Sequence, residues 1–526
     1  MAPSQSLTGG LAGLVLLVAS CAPAQTATPT PAASSTERAS TAPSAPASPT
    51  TTPTSSDPAY WVDATERTIG ATAEWSNKVE LADLDSDGDV DIIFANGGLY
   101  DSPGPPEPTR VMINDGTAVF IDRSSEVLGE GGNLARVVKV RDVDGDGVVD
   151  IVIGNTYQTQ SRLFLGRGGL AFEEVTDTHL PKVALSVGDL ELGDVDLDGD
   201  LDMILADWGP GNPMGGASAP PVLWINDGKG RFTEAPGKAI PDRALGFSWD
   251  VEFIDVDNDF DLDILESCKM CPGGLLLHND GTGTFADASD QLPQHPNNYE
   301  YEPMDVDGDG SLDVVTINDG ADATEHLLVG DGNGGFSDAT ATLWPPEANP
   351  SADDNVVVFL DVDSDGDPDF LIGSLDGADR LLINDGSGHL TMDPAVFSGR
   401  QTIGTLGMAI ADLNADGRPD VVQAQGEAED PDTVHLGVAV PPDTAAPVVT
   451  RAVIRDRSIF ARVTDHSSGM TALREVTIEG PNGAQPMTWY GESLWRAKVT
   501  GTGPFTVCAT DAAENRDCSE PVDAGT

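Results

Sequence analysis

The chain has 526 residues and a formal net charge of −60, with 87 Asp and Glu against 27 Lys and Arg. A surface this acidic repels polyanions, which excludes nucleic acid as a partner, and the longest apolar run, Leu11 to Ala19, is too short to span a bilayer. The hydrophobic fraction of 39% suffices for cores, and 58 Gly and 38 Pro favour turns and short strands over long helices.

Residues 1–20 read as a secretory signal, since an apolar core from Leu11 to Val18 is followed by the small residues Ala19 and Ser20 and then Cys21. The stretch Val18-Ala19-Ser20-Cys21 resembles the bacterial lipobox, although no Lys or Arg precedes its apolar core. That resemblance implies a lipidated Cys21 and an extracytoplasmic lipoprotein anchored at the outer membrane or cell surface. Residues 21–57 are almost wholly Ala, Pro, Ser and Thr, a mixture that cannot bury enough apolar area to offset its chain entropy. They read as a disordered tether with a root-mean-square span of about 35 Å.

From residue 58 one pattern, D-x-[DN]-x-D-x-x-x-D, occurs seven times with starts 50 to 61 residues apart. The first loop holds Asp83, Asp85, Asp87, Asp89 and Asp91, and the second Asp142, Asp144, Asp146 and Asp150. The third holds Asp194, Asp196, Asp198, Asp200 and Asp202, and the fourth Asp255, Asp257, Asp259, Asp261 and Asp263. The fifth has Asp305, Asp307, Asp309 and Asp313, the sixth Asp361, Asp363, Asp365, Asp367 and Asp369, and the seventh Asp412, Asn414, Asp416 and Asp420.

Carboxylates at positions 1, 3 and 5 converge only if the chain wraps tightly, and glycine at position 6 permits the turn. Six loops have that glycine, while the fourth has Phe260 and is the weakest candidate. A flexible cage of oxygen donors suits Ca²⁺, up to seven ions, better than Mg²⁺, with position 7 adding its carbonyl and Asp at position 9 closing the site. An EF-hand would place Glu at position 12 and continue as a helix, but only the fourth loop has one, Glu266. The flanks read as strands instead: Lys78-Val-Glu-Leu-Ala and Val90-Asp-Ile-Ile-Phe around the first loop, Val356-Val-Val-Phe-Leu and Pro368-Asp-Phe-Leu-Ile around the sixth.

A third strand runs into Asn-Asp-Gly turns such as Asn114-Asp-Gly and Asn384-Asp-Gly, and a fourth begins at Phe120, Phe172, Phe232, Phe285, Phe336 and Leu390. Four antiparallel strands in each of seven units predict an all-β chain with a seven-bladed β-propeller over 58–441. Tyr60-Trp-Val-Asp is an orphan fourth strand placed to complete the last blade. The unit resembles the FG-GAP or VCBS repeat of integrin α-subunits and many bacterial surface proteins. That resemblance implies calcium at positions 1, 3, 5 and 9, and it leaves the ligand open, since such repeats serve adhesion proteins, lectins and enzyme accessory domains.

In such meanders the long connections Gly97 to Thr109 and Trp208 to Pro221 lie opposite the metal loops, with Trp75, Tyr100, Trp208 and Trp344 as candidate ligand contacts on that face. Cys268 with Cys271 and Cys508 with Cys518 form two local pairs, which suits disulfides in an oxidising compartment. Residues 443–526 lose the repeat but keep short strands, reading as a β-sandwich, and Asp443-Thr-Ala-Ala-Pro with Cys508-Ala-Thr-Asp-Ala-Ala-Glu-Asn resembles bacterial Ig-like domains. No G-x-S-x-G, H-E-x-x-H or phosphate loop is present, so no enzyme is expected. The expectation is a monomeric, calcium-stabilised binding or adhesion protein for a protein or glycan, with a purely structural envelope role as the alternative.

Overall fold

A computed structural model describes residues 59–216, 218–320, 323–393, 396–399, 404–426, 430–466 and 473–523. The signal, the tether and Cys21 lie outside the described residues. No described helix is long and apolar enough to cross a membrane. The first sheet is an antiparallel meander of Ser76–Ala82, Asp91–Asn96, Arg110–Asn114 and Phe120–Asp122. The same arrangement recurs in six more sheets, with first strands Ala135–Arg141, Val187–Gly193, Phe247–Ile254, Asn298–Met304, Asp354–Leu360 and Thr405–Ala411. These first strands neighbour one another in sequence, and that of the seventh sheet returns to that of the first. The sheets are therefore the blades of a β-propeller, and the chain is all-β.

Trp61–Asp63 closes the ring as expected, pairing antiparallel with Thr433–Gly437 so that Trp61 faces Gly437. The Trp61 ring is buried and donates from Nε1 to the Pro419 carbonyl at 2.8 Å. A short parallel strand, Phe397–Ser398, lies on its other side and has no sequence signal of its own.

Side chains alternate along the first strands. Val79 and Leu81 enter the core between sheets, while Lys78 and Glu80 line the central channel with Lys139, Arg141, Glu191, Glu252, Glu300 and Glu302. At the equivalent positions the sixth blade has Val356 and Val358 and the seventh Gly407 and Ala409, so the channel has one charged and one apolar wall. Lys78 donates to both Asp189 and Asp250, at 2.7 Å to the latter, and so ties the first, third and fourth blades.

Residues beyond 443 form two four-stranded sheets, in which Val448–Arg455, Ser458–Thr464, Leu494–Lys498 and Thr488–Gly491 face Gly483–Pro486, Leu473–Gly480, Thr506–Asp511 and Arg516–Cys518. Ile459, Ala461 and Val463 of one sheet pack on Val476, Ile478, Val507 and Ala509 of the other, which makes this unit a β-sandwich. Both expected disulfides are present, and Cys508 and Cys518 stand directly opposite each other in paired strands.

Candidate functional site

The seven acidic loops share one hydrogen-bond plan. In each, the amide at position 6 donates to the second oxygen of the position-1 Asp at 2.7–3.2 Å, as Gly88 does to Asp83 and Gly417 to Asp412. The six glycines at position 6 are left-handed, from Gly417 at φ 78° to Gly199 at 122°. Phe260 takes the same conformation at φ 69° without glycine's freedom, a strain of about 1–3 kcal/mol. Its ring is only 2% exposed and lies 6.1 Å from Phe460, so burial of the ring offsets the strain. Position 4 is left-handed as well, including Ser86, Leu197, Asn258, Ser364 and Ala415. Gly145, Gly308 and Asn258 suit that conformation, whereas Leu197 and Ala415 give no sign of it.

Position 9 does more than close the acidic loop. One oxygen of each position-9 Asp accepts from the position-2 amide at 2.8–3.3 Å, as Asp91 does from Leu84. The other accepts from the amide that ends the third strand at 2.7–2.9 Å, as Asp91 does from Asn114. This carboxylate therefore joins three strands of its blade. In four blades the Asn of the Asn-Asp-Gly turn also donates to the metal loop of the neighbouring blade, Asn226 to the Val143 carbonyl at 2.8 Å being one case. Sequence reading gave these asparagines a turn role only.

The donor set fits a hard cation. Asp83, Asp85 and Asp91 bring oxygens within 4.8 Å of one another, as do Asp142, Asp144 and Asp146, and Asp194, Asp196 and Asp202. Asp85 Oδ1, Asp305 Oδ1 and Asn414 Oδ1 are shielded from solvent and have no hydrogen-bond partner. Burial, aided by the neighbouring carboxylates, pushes Asp91, Asp150 and Asp420 up to about 7 and Asp202, Asp313 and Asp369 up to about 8. Carboxylates gathered so closely need positive charge. The position-7 carboxylates of Asp89, Asp200, Asp261 and Asp367 lie against the glycine of their own blade's Asn-Asp-Gly turn, where a Cβ would stand 2.1–2.6 Å away.

At the third and fourth loops the sandwich supplies positive charge itself. Arg462, only 1% exposed, reaches Asp255 Oδ2 at 3.0 Å and Asn258 Oδ1 at 2.8 Å. Arg455 meets Asp261 Oδ1 at 3.0 Å and the Asp259 carbonyl, and Arg496 meets Asp194. Tyr490 donates to the Phe260 carbonyl at 3.0 Å, and its own carbonyl accepts from the Asp194 amide at 2.8 Å. Gly491 allows this approach, since a Cβ there would stand 2.4 Å from Leu262. The fourth loop is thus the poorest fit to calcium, because Arg462 and Arg455 already hold its position-1 and position-7 carboxylates. Glu266, at position 12 of that loop, is a buried strand residue and not a loop ligand.

The sandwich also caps the channel, where a cavity of about 290 Å³ lies between the charged wall and Asp465, Trp489, Glu492 and Trp495. At the opposite end, Tyr100 stacks on Trp249 at 5.1 Å, its hydroxyl is 3.0 Å from that of Tyr299, and Trp75 meets it edge-on at 6.1 Å. Arg136 lies 4.2 Å from the Trp249 ring, and Lys269 donates to the Tyr299 hydroxyl. Trp208 and Trp344 are 1% and 2% exposed, packed on Phe247 and Phe370. The expectation of exposed aromatics is thereby corrected for those two, which are core, while Trp75 and Tyr100 are partly buried edges of an aromatic plug.

A model of the FG-GAP-like repeat matches residues 83–153, 142–205, 305–372 and 361–422. The chain carries FG-GAP-like repeats. The fourth loop falls outside the matched segments. No curated protein matches the chain. Among solved structures it is similar to a lectin from Agrocybe aegerita whose structure describes recognition of non-reducing terminal N-acetylglucosamine, at 19% identity over 68% of this chain and 87% of that one, with a TM-score of 0.41. It is similar to BBS1N, crystallised in complex with ARL6DN, at 7% identity over 73% of this chain and 99% of that one, with a TM-score of 0.44. It is also similar to the extracellular domain of a one-component system from B. thetaiotaomicron, at 8% identity over 89% of this chain and 58% of that one, with a TM-score of 0.41.

Proposed function

We propose that the protein is a lipid-anchored, calcium-stabilised extracytoplasmic binding or adhesion protein, acting as a monomer, whose propeller binds a protein or glycan on the face away from the acidic loops. The observation that carries the calcium reading is the set of converging, solvent-shielded loop oxygens without hydrogen-bond partners. Calcium has a structural role here, and extracellular modules of this kind bind it at about 10⁻⁴ to 10⁻³ M. Choice of face follows from the sandwich, which covers the channel mouth at the loop end. The long connections at the other end are free of that cover and include the exposed Met214. The C-terminal β-sandwich serves in this reading as an Ig-like, fixed cap.

In this proposal the protein binds its ligand without catalysis. A glycan array and a surface pull-down, each run with calcium and with chelator, test it. Saturable, chelator-sensitive capture of one ligand class is expected, and its absence from both favours a structural envelope component. Anchoring is checked by labelling with a palmitate analogue: Cys21→Ala is expected to lose label and membrane association together, and equal labelling of the variant would remove the anchor from the proposal.

A further inference from the structure

Outside the acidic loops and the channel, one cluster combines two imidazoles and a carboxylate. His295 comes from the connection leading to the fifth blade, His326 opens the strand His326–Gly330, and Asp338 closes the strand Phe336–Asp338. These residues are 31 and 12 positions apart in the chain, and meander geometry brings them to one edge of the blade. His295 Nε2 lies 3.5 Å and His326 Nδ1 3.4 Å from Asp338 Oδ2, and one donor atom from each residue falls within 4.8 Å of the others.

Hydrogen bonding does not account for this arrangement. N–H···O bonds run at about 2.7–3.2 Å, and both ring nitrogens are shielded from solvent with no hydrogen-bond partner. The rings stack with centroids 3.4 Å apart, and both nitrogens face one carboxylate oxygen. A tetrahedral ion with ligand bonds of about 2.0–2.1 Å has donor atoms about 3.3–3.4 Å apart, which matches the observed spacing. Asp338 is already oriented for the task, because the Thr340 amide at 3.0 Å holds Oδ1 and leaves Oδ2 to the imidazoles.

We propose that His295 Nε2, His326 Nδ1 and Asp338 Oδ2 form a binding site for a borderline divalent transition metal of the zinc type, chemically distinct from the all-oxygen calcium loops. Imidazole nitrogens select such ions over calcium, which takes oxygen. With three protein ligands the fourth position goes to water or to a donor from another molecule, the pattern of an open site. Metal binding fixes the tautomers, with the protons on His295 Nδ1 and His326 Nε2. The site stands independently of the calcium and ligand readings.

The test uses tag-free full-length protein held in excess calcium, so that the acidic loops are not the variable, and titrated with Zn²⁺ and Co²⁺. One equivalent of each is expected to bind, with Co²⁺ giving the intense visible absorption of a four-coordinate site and Zn²⁺ displacing it. His295→Gln and His326→Ala are each expected to abolish the cobalt spectrum, and Asp338→Asn to weaken binding, while melting temperature in calcium and the response to chelator stay those of the wild type. Absence of a stoichiometric cobalt spectrum in the wild type, or its survival in both histidine variants, overturns the proposal.

Discussion

Glu266 shows how one residue can carry a pH response. It lies fully buried in the strand Asp263–Lys269, and burial pushes its carboxyl from 4.5 up to about 8. The folded protein thus holds this proton more tightly than the unfolded chain. The resulting stability is complete below about pH 4.5 and is lost as pH rises through about 8, at about 1.4 kcal/mol per pH unit in between. Glu266→Gln is expected to leave stability nearly unchanged at pH 5 and to raise it at pH 8.5, measured by denaturant unfolding in saturating calcium. Equal effects at the two pH values would contradict the assignment. Legibility at this scale was uneven. Position 6 was readable because six glycines declare a left-handed residue, whereas position 4 was read poorly, because only Gly145, Gly308 and Asn258 hint at a conformation that Leu197 and Ala415 share. The position-9 aspartates were readable as loop residues, but their hold on two backbone amides is a tertiary fact, set where three strands meet.

Strands and loops were the most legible scale. The fourth strands begin at the expected Phe120, Phe172, Phe232, Phe285, Phe336 and Leu390, because the acidic loop marks the turn between first and second strands and a glycine-containing turn marks the end of the third. Hidden from that reading was the meeting of elements far apart in sequence. Arg455, Arg462 and Arg496 stand on sandwich strands yet serve acidic loops about 190 to 300 residues earlier. A sign existed: residues 443–526 carry 8 Lys and Arg against 11 Asp and Glu, nearly neutral beside so acidic a propeller. Arg462→Ala leaves Asp255 buried without its partner, a change of about 3–5 kcal/mol for a pair this deep. The expected outcome is faster proteolysis of the connection near residues 438–447, with little change in the calcium response of the other loops. Cys518→Ser is expected to cost about 2–3 kcal/mol, seen as a lower unfolding midpoint of the sandwich under oxidising conditions.

At the scale of the whole molecule, charge decides. The seven loops hold 31 Asp and one Arg in 63 residues, a net of −30 and half of the total charge. Each ion that binds only the folded ring stabilises it by about 2.7 kcal/mol at a hundredfold excess over Kd. Calorimetry is therefore expected to show chelator lowering the melting temperature by many degrees, with recovery on adding calcium, and an unchanged transition would remove the metal from the account. Native mass spectrometry in calcium is expected to count fewer than seven ions, since Arg462 already holds Asp255. The aromatic plug marks the limit of sequence reading at this scale. Trp208 and Trp344 sit in connections that look exposed one blade at a time, and only the closed ring turns them inward.

Ring closure also bears on mechanics. Trp61–Asp63 is the first strand of the propeller and the outer partner of Thr433–Gly437, so a pull on the amino end arrives first at the strand that latches the circle. That latch is three residues long, and one buried indole bonded to the Pro419 carbonyl helps to fasten it. Under load the propeller would yield there, opening between its first and last blades before any blade unravels, and single-molecule pulling from the amino end should register that opening as the first force peak.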